Sequence, residues 1–305
     1  PRPTSVWISQ QSEDAVGDPG SDSPIATPFD VDRLQASLNT RAFGRPLRYS
    51  PSTASTNADA LTYLQQPATA SSPHGLVMLA DCQTAGRGRR GRTWHSPPQG
   101  NLYFSVIVVP RPGITRMTPW LTWVPLLSAL AGADCLSQQT GLPVSVKWPN
   151  DLLIHDKKIG GILCEQTTTA EKTMAIVIGI GLNVNAVLSD FPDDLRQGAT
   201  TLAAEAGRPF DRVALLADLL LRLEQRLDRL FLEGPTGTIG EFTQRCSTVG
   251  KTVRVTIEEQ GVVQGIAESI GPDGCLRLRV ASSESPTHPS TVLDVRSAEV
   301  VHLRG

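Results

Sequence analysis

The sequence predicts an α+β fold, in which a central mixed β-sheet is flanked by helices and followed by a small C-terminal β-barrel. Three observations carry the prediction. Apolar runs of strand length are interspersed with helical periodicity over about 190 residues from Leu47. A leucine stripe from Asp211 onward marks one long amphipathic helix. Beyond Gly234-Pro235-Thr236-Gly237, short segments alternate at period two, as half-buried strands do.

The elements follow in order. The first thirty residues are rich in Ser, Pro, Asp and Gly without a hydrophobic period, and residues 1–44 as a whole are expected to form a loosely ordered tail. Within it, Val31 to Leu38 carries a short amphipathic pattern that Asp30 or Asp32 is placed to cap. A strand-like piece from Leu47 leads to Ser55-Thr56-Asn57, where a helix is expected to begin, with Thr56 and Asp59 in capping-box spacing. Gly75 to Cys82 and Asn101 to Val109 read as strands, the second stopped by Pro110 and Pro112. Thr118 to Gln139 reads as a helix with Pro119 near its start and Gly141 near its end.

Val144 to Trp148, Ile162 to Gln166 and Ala175 to Ile180 are strand-like. In the long helix, Leu215, Leu216, Leu219, Leu220, Leu223, Leu227 and Leu230 share one face. Lys251 to Ile257, Gly261 to Ile270, Cys275 to Val280 and Thr291 to Arg296 make up the β module, with a turn at Gly271-Pro272-Asp273-Gly274. The expected division is a tail (1–44), a catalytic domain (45–235), and a linker with an SH3-like barrel (236–305).

Composition excludes several classes. The 305 residues carry 28 Lys+Arg against 30 Asp+Glu, a formal charge of −2, which argues against a general nucleic-acid coat or a polybasic membrane binder. Cys82, Cys135, Cys164, Cys246 and Cys275 are odd in number and never spaced C-x-x-C, so neither a disulfide framework nor a zinc site is expected. There is no apolar run of transmembrane length and no basic-then-apolar secretory pattern at the start, so a cytoplasmic location is expected. One helical pattern before Tyr49 leaves no room for a helix-turn-helix unit.

Three segments have the composition of a binding site. Gly86 to Arg92 packs four arginines and three glycines into seven positions, between Gln83 and Trp94. Glycine lets a backbone approach a ligand closely, and arginine offers a permanently charged fork for phosphate or carboxylate. A solvated loop or an RNA-binding Gly-Arg tract has the same composition. Lys147 ends a buried-type strand in Lys147-Trp148-Pro149-Asn150-Asp151, where an ammonium is costly unless it meets an anion. Lys158 stands eleven residues on, across an expected hairpin. Lys157 and His95 are expected to be surface residues. Gly179-Ile180-Gly181-Leu182-Asn183 lacks the third glycine and the following helix of a dinucleotide fingerprint, and reads as a glycine-lined strand end that admits a nucleotide or ribose.

In this order and spacing, Ser55-Thr56-Asn57, Gln83 through Trp94, KWPND at 147–151, KKIGGILCE at 157–165 and GIGLNVN at 179–185 resemble the biotin protein ligases, from about residue 47 to the C-terminus. The resemblance implies the class II synthetase-like catalytic fold shared by biotin and lipoate ligases. It implies two steps: biotin and ATP form biotinyl-5′-adenylate, and the biotinyl group then passes to one lysine of a biotin carboxyl carrier protein of acetyl-CoA carboxylase. It implies Mg²⁺ on the polyphosphate, with no metal ligands identified. By the same resemblance Ser55, Thr56, Asn57 and Gln83 line the biotin site together with Arg87, Gly88 and Arg89 from the loop and the backbone of Gly161 and Leu163, and Arg92 belongs to the wider ligand-binding set. Arg89 holds the carboxylate and phosphate, Lys147 bonds the reacting centre, and Lys158 assists on the phosphate side. Trp94 covers adenine, Asn183 approaches the nucleotide, and Asp151 prepares the acceptor lysine or supports the metal. The expectation is a monofunctional ligase that binds neither DNA nor membrane, with a homodimer possible through a sheet edge. Two readings compete: a lipoate or octanoyl transferase on the same fold, and a nucleic-acid-binding module using the Gly-Arg loop.

Overall fold

The structure is a computed structural model that describes residues 7–8, 28–67, 72–98, 100–110, 121–257, 261–280, 291–296 and 298–303. In chain order its elements begin with β1 (Trp7–Ile8), α1 (Val31–Ser37), β2 (Leu47–Ser50), α2 (Thr56–Leu64), β3 (Val77–Ala80) and β4 (Leu102–Val108). Next come α3 (Trp123–Thr140), β5 (Ser145–Lys147), β6 (Asp151–Ile154), β7 (Lys157–Thr168) and β8 (Met174–Leu182). Then follow α4 (Asp193–Arg196), α5 (Leu202–Ala206), α6 (Arg212–Glu233) and α7 (Ile239–Arg245). The last strands are β9 (Thr252–Ile257), β10 (Gly261–Ile270), β11 (Leu276–Val280), β12 (Thr291–Val295) and β13 (Glu299–His302). They form two compact units, one drawn from residues 1–109 and 165–221, the other from 110–164 and 222–305.

The first unit is built on a mixed sheet of order β1-β2-β3-β4-β8, edged by the last residues of β7. β2 runs parallel to β1 and β3, whereas β4 is antiparallel to β3 and β8. Every residue of β4 is buried, the signature of a central strand covered on both faces. Helix α2 covers one face, where Ala60 and Leu64 pack with Met78, Ile107 and Val177. Residues 28–44, part of the expected loose tail, hold defined places because their apolar side chains are used: Leu34 and Phe43 are almost fully buried. Asp30 caps α1 by accepting from the Arg33 amide, and Phe29 N–H bonds the Asp81 carboxylate at 3.2 Å. Asp81 also pairs with Arg212 at 2.7 Å and accepts from the Tyr49 hydroxyl.

The capping box expected at α2 does not form. Ser55 makes no side-chain cap bond, and Asp59 instead accepts from the Thr53 hydroxyl at 2.7 Å. The Thr56 and Asn57 side chains take tertiary partners instead. Asp211 does cap α6, accepting from the Val213 and Ala214 amides. All seven leucines of the expected stripe are buried.

In the second unit, β5, β6 and the first residues of β7 form an antiparallel hairpin pair, with Lys147 opposite Asp151 and Asp151 opposite Gly161. β7 begins at Lys157, earlier than its apolar run suggests, because its polar start is paired with β6. Helix α3 ends at Gly141 as expected, while the expected start around Pro119 lies outside the described residues. The C-terminal module is a five-stranded antiparallel sheet of order β12-β11-β10-β9-β13, consistent with an SH3-like barrel. Its 271–274 turn accepts two indole N–H bonds, Trp123 to the Pro272 carbonyl at 2.8 Å and Trp148 to the Gly274 carbonyl at 3.1 Å. Among the described residues no helix is long and apolar enough to cross a membrane.

Candidate active site

Ser55, Thr56 and Asn57 sit at the start of α2, and all three are buried. Such side chains must find partners within the protein. Thr56 donates its amide to Gln83 Oε1 at 3.0 Å, and Gln83 Nε2 donates to Ser96 Oγ at 2.9 Å. The fully buried Ser105 on β4 lies 2.6 Å from Asn57 Oδ1 and 2.7 Å from Thr56 Oγ1. Asn57 Nδ2 donates to Glu165 Oε2 at 2.8 Å, and Arg87 pairs with Glu165 Oε1 at 2.6 Å. Two motifs far apart in sequence thereby meet in one polar network.

The Gly-Arg segment is a small hairpin rather than an open loop. Trp94 N–H bonds the Gly86 carbonyl at 2.9 Å, Gly88 N–H bonds the Arg92 carbonyl at 2.7 Å, and Arg87 bridges Thr93. A single 3₁₀ turn at Arg89–Gly91 forms the tip, with Arg90 at φ 56°. Arg87, Arg90 and Arg92 are exposed, and Arg89 is half-buried. The neighbouring strand β8 carries glycine where a side chain is excluded. A Cβ at Gly179 would fall 2.1 Å from Asn57 Oδ1, and one at Gly181 would fall 2.5 Å from the Trp94 ring. One residue past the strand, Asn183 is buried. Its Nδ2 donates to the Thr200 carbonyl at 3.1 Å, while Oδ1 has no hydrogen-bond partner among the described residues. A buried acceptor of this kind is costly unless a ligand or an ordered water supplies the donor.

In the second unit, Lys147 ends β5 opposite Asp151, and Asp151 pairs with Lys158 at 2.6 Å. The hairpin thus brings Lys147, Asp151 and Lys158 to one place. Asn150 locks the turn by donating Nδ2 to the Ile162 carbonyl at 2.8 Å, between Gly161 and Leu163. Trp148 is core, 2% exposed, and its amide donates to Thr248 Oγ1 at 3.0 Å. Thr248 in turn contacts His302 Nε2 at 3.1 Å. Burial, then the positive charges of Lys147 and Lys251, push the His302 imidazole down to about 4, so it is neutral at pH 7.

Among the described residues no three His, Cys, Asp or Glu side chains cluster as a metal cage. Lys157 and His95 are not drawn into either group: Lys157 is exposed, and His95 bonds the Asp190 carbonyl beside Phe191. Ser105 and Glu165 join the site although their motifs do not single them out. Their signals were a lone serine in an apolar strand run and a carboxylate closing KKIGGILCE.

Known proteins resemble this chain in both sequence and fold. The profile of the biotin/lipoate A/B protein ligase family matches residues 49–183. A bifunctional ligase/repressor BirA of Bacillus subtilis is 35% identical over 246 residues, covering 80% of this chain and 73% of that protein. A biotin–[acetyl-CoA-carboxylase] ligase of Mycobacterium tuberculosis is 32% identical, covering 90% of this chain and 99% of that protein. The biotin protein ligase of Aquifex aeolicus solved with biotin and ATP superposes with a TM-score of 0.68 at 26% identity, covering 85% and 99% of the two chains. The chain belongs to the biotin/lipoate A/B protein ligase family.

Proposed function

We infer that this chain is an ATP-dependent biotin ligase that biotinylates the carrier protein of acetyl-CoA carboxylase. The observation that carries the reading is the single network joining Thr56, Asn57, Gln83 and Arg87 against a strand kept bare by Gly179 and Gly181. Such a surface offers directional donors and acceptors to a compact polar head such as a ureido ring. Relatives named as biotin ligases favour biotin over lipoate.

In the proposed mechanism, Ser55, Thr56, Asn57 and Gln83 hold biotin, with Gly161 and Leu163 contributing backbone. Arg89, flanked by Arg87, Gly88 and Arg92, offsets the charge of the biotin carboxylate and the α-phosphate, which otherwise repel each other. Lys147 stabilises the developing charge at the reacting phosphorus, and Lys158, held by Asp151, serves the phosphate side. Trp94 stacks on adenine, and Asn183 Oδ1 accepts from the nucleotide. A Mg²⁺ ion bound with the polyphosphate would supply further neutralisation of its charge. The loop hairpin keeps water from the acyl adenylate until the acceptor lysine attacks its carbonyl and AMP departs.

We further propose a catalytic domain at 45–235 followed by the linker and barrel at 236–305, action in the cytoplasm, and pairing of copies through a sheet edge. DNA and membranes are not proposed as partners. The near-balanced, slightly acidic charge of the chain supports this reading. The test is incubation with biotin, MgATP and a carrier domain followed by intact mass. A single ATP-dependent biotin adduct on the carrier is expected, and labelling by lipoate but not biotin would overturn the reading.

A further inference from the structure

We propose that Glu165 is a positioning residue that couples the Gly-Arg hairpin to the polar floor, because one carboxylate holds Arg87 and Asn57 at the same time. Oε1 takes the Arg87 guanidinium at 2.6 Å and Oε2 takes Asn57 Nδ2 at 2.8 Å. An ionised carboxylate only accepts, so it fixes which end of the Asn57 amide faces it. With that end set, Oδ1 accepts from the Ser105 hydroxyl at 2.6 Å and fills the space left by Gly179. The amide is therefore held at both ends, and the hairpin is tied to it through Arg87.

The consequence is mechanical. Arg87 is the first arginine of a hairpin whose base is closed by the Gly86 and Trp94 backbone. With its side chain anchored on Glu165, the hairpin base and the α2 floor keep one spacing, and a ligand meets both preformed. Without the anchor, each ligand molecule must order the hairpin itself, which weakens apparent affinity without changing the reacting groups. Glutamine cannot reproduce the arrangement, since its amide accepts at one end and donates at the other, toward Arg87 or toward Asn57.

This inference rests on the biotin-ligase reading for its kinetic test but not for its structural one. In biotin-dependent ATP–pyrophosphate exchange by the full chain, Glu165→Gln is expected to raise the KM for biotin about tenfold, the size of one lost charge-assisted bond. The kcat at saturating biotin should stay within about twofold. Trypsin should cut the 87–92 arginines several-fold faster in Glu165→Gln without any ligand. The Arg87→Met change should give the same acceleration, and the double variant should add nothing further. Unchanged KM and unchanged cleavage would overturn the proposal. So would parallel losses of kcat, KM and melting temperature, which mark a role in folding alone. If the parent chain performs no biotin-dependent exchange, the function reading fails, while the ligand-free cleavage series still decides the coupling.

Discussion

At Gly181 a methyl group would fall 2.5 Å from the Trp94 indole, so this position sets the distance between strand β8 and the ring. Gly181→Ala is expected to displace Trp94. If Trp94 stacks on adenine, the KM for ATP should rise at least tenfold and that for biotin much less, with a stability cost of about 1–3 kcal/mol for the overpacking. Steady-state kinetics and chemical denaturation read both effects. Two charged positions separate binding from chemistry. Arg89→Gly is expected to release free adenylate, seen as biotin appearing on bystander proteins, and unchanged selectivity would remove that gatekeeping role. Lys147→Ala should slow pyrophosphate release by orders of magnitude, of the size found when a charge-stabilising donor is removed from an active site.

Among elements, the segment from Cys246 to Thr248 is stitched to the β5 turn more firmly than its sequence suggests. Val146 bridges Cys246, Ser247 N–H bonds the Val146 carbonyl at 2.8 Å, and Thr248 Oγ1 accepts from the Trp148 amide. Thr248→Val leaves that buried amide without an acceptor and should cost about 1–3 kcal/mol, measurable by denaturant melts. His302 on β13 adds a pH dependence. Its folded-state value, about 4, lies below its ordinary 6.5, so below pH 6.5 the unfolded chain takes up a proton that the folded chain refuses. Lys251, itself paired with Asp156, and Lys147 both face that imidazole. Stability should therefore fall as pH drops from about 6.5 toward 4, and His302→Gln should flatten that part of the melting-temperature profile. The leucine stripe of α6 was legible because its period is local. The 3₁₀ hairpin tip and the four-residue strand β6 were not, since neither is long enough to show a period of its own.

For the molecule as a whole, charge is nearly balanced, yet four arginines lie within one seven-residue hairpin. A nucleic-acid-binding module would show affinity falling steeply with salt. A gel shift at moderate salt is expected to show no specific complex, and a specific one would contradict ligase activity without operator binding. The C-terminal module is bound to its unit by polar contacts as well as packing, since two buried tryptophans donate to its 271–274 turn. Deletion of residues 251–305 should expose both indoles, giving red-shifted tryptophan fluorescence and self-association on size-exclusion chromatography.

The sequence by itself determined the α+β class, the long leucine helix, the β module and the polar motifs, because periodicity and residue chemistry are properties of neighbours along the chain. The Asn57, Gln83 and Arg87 positions were readable in the same way, as part of motifs with a family likeness. Only the tertiary structure decided that Ser105 and Glu165 join them, that Asp59 turns to Thr53 instead of capping α2, and that Asp151 pairs with Lys158. Hydrogen bonds and ion pairs act over about 3 Å through space. Residues 48 and 108 positions apart become partners only after the sheet has brought their strands and helices together.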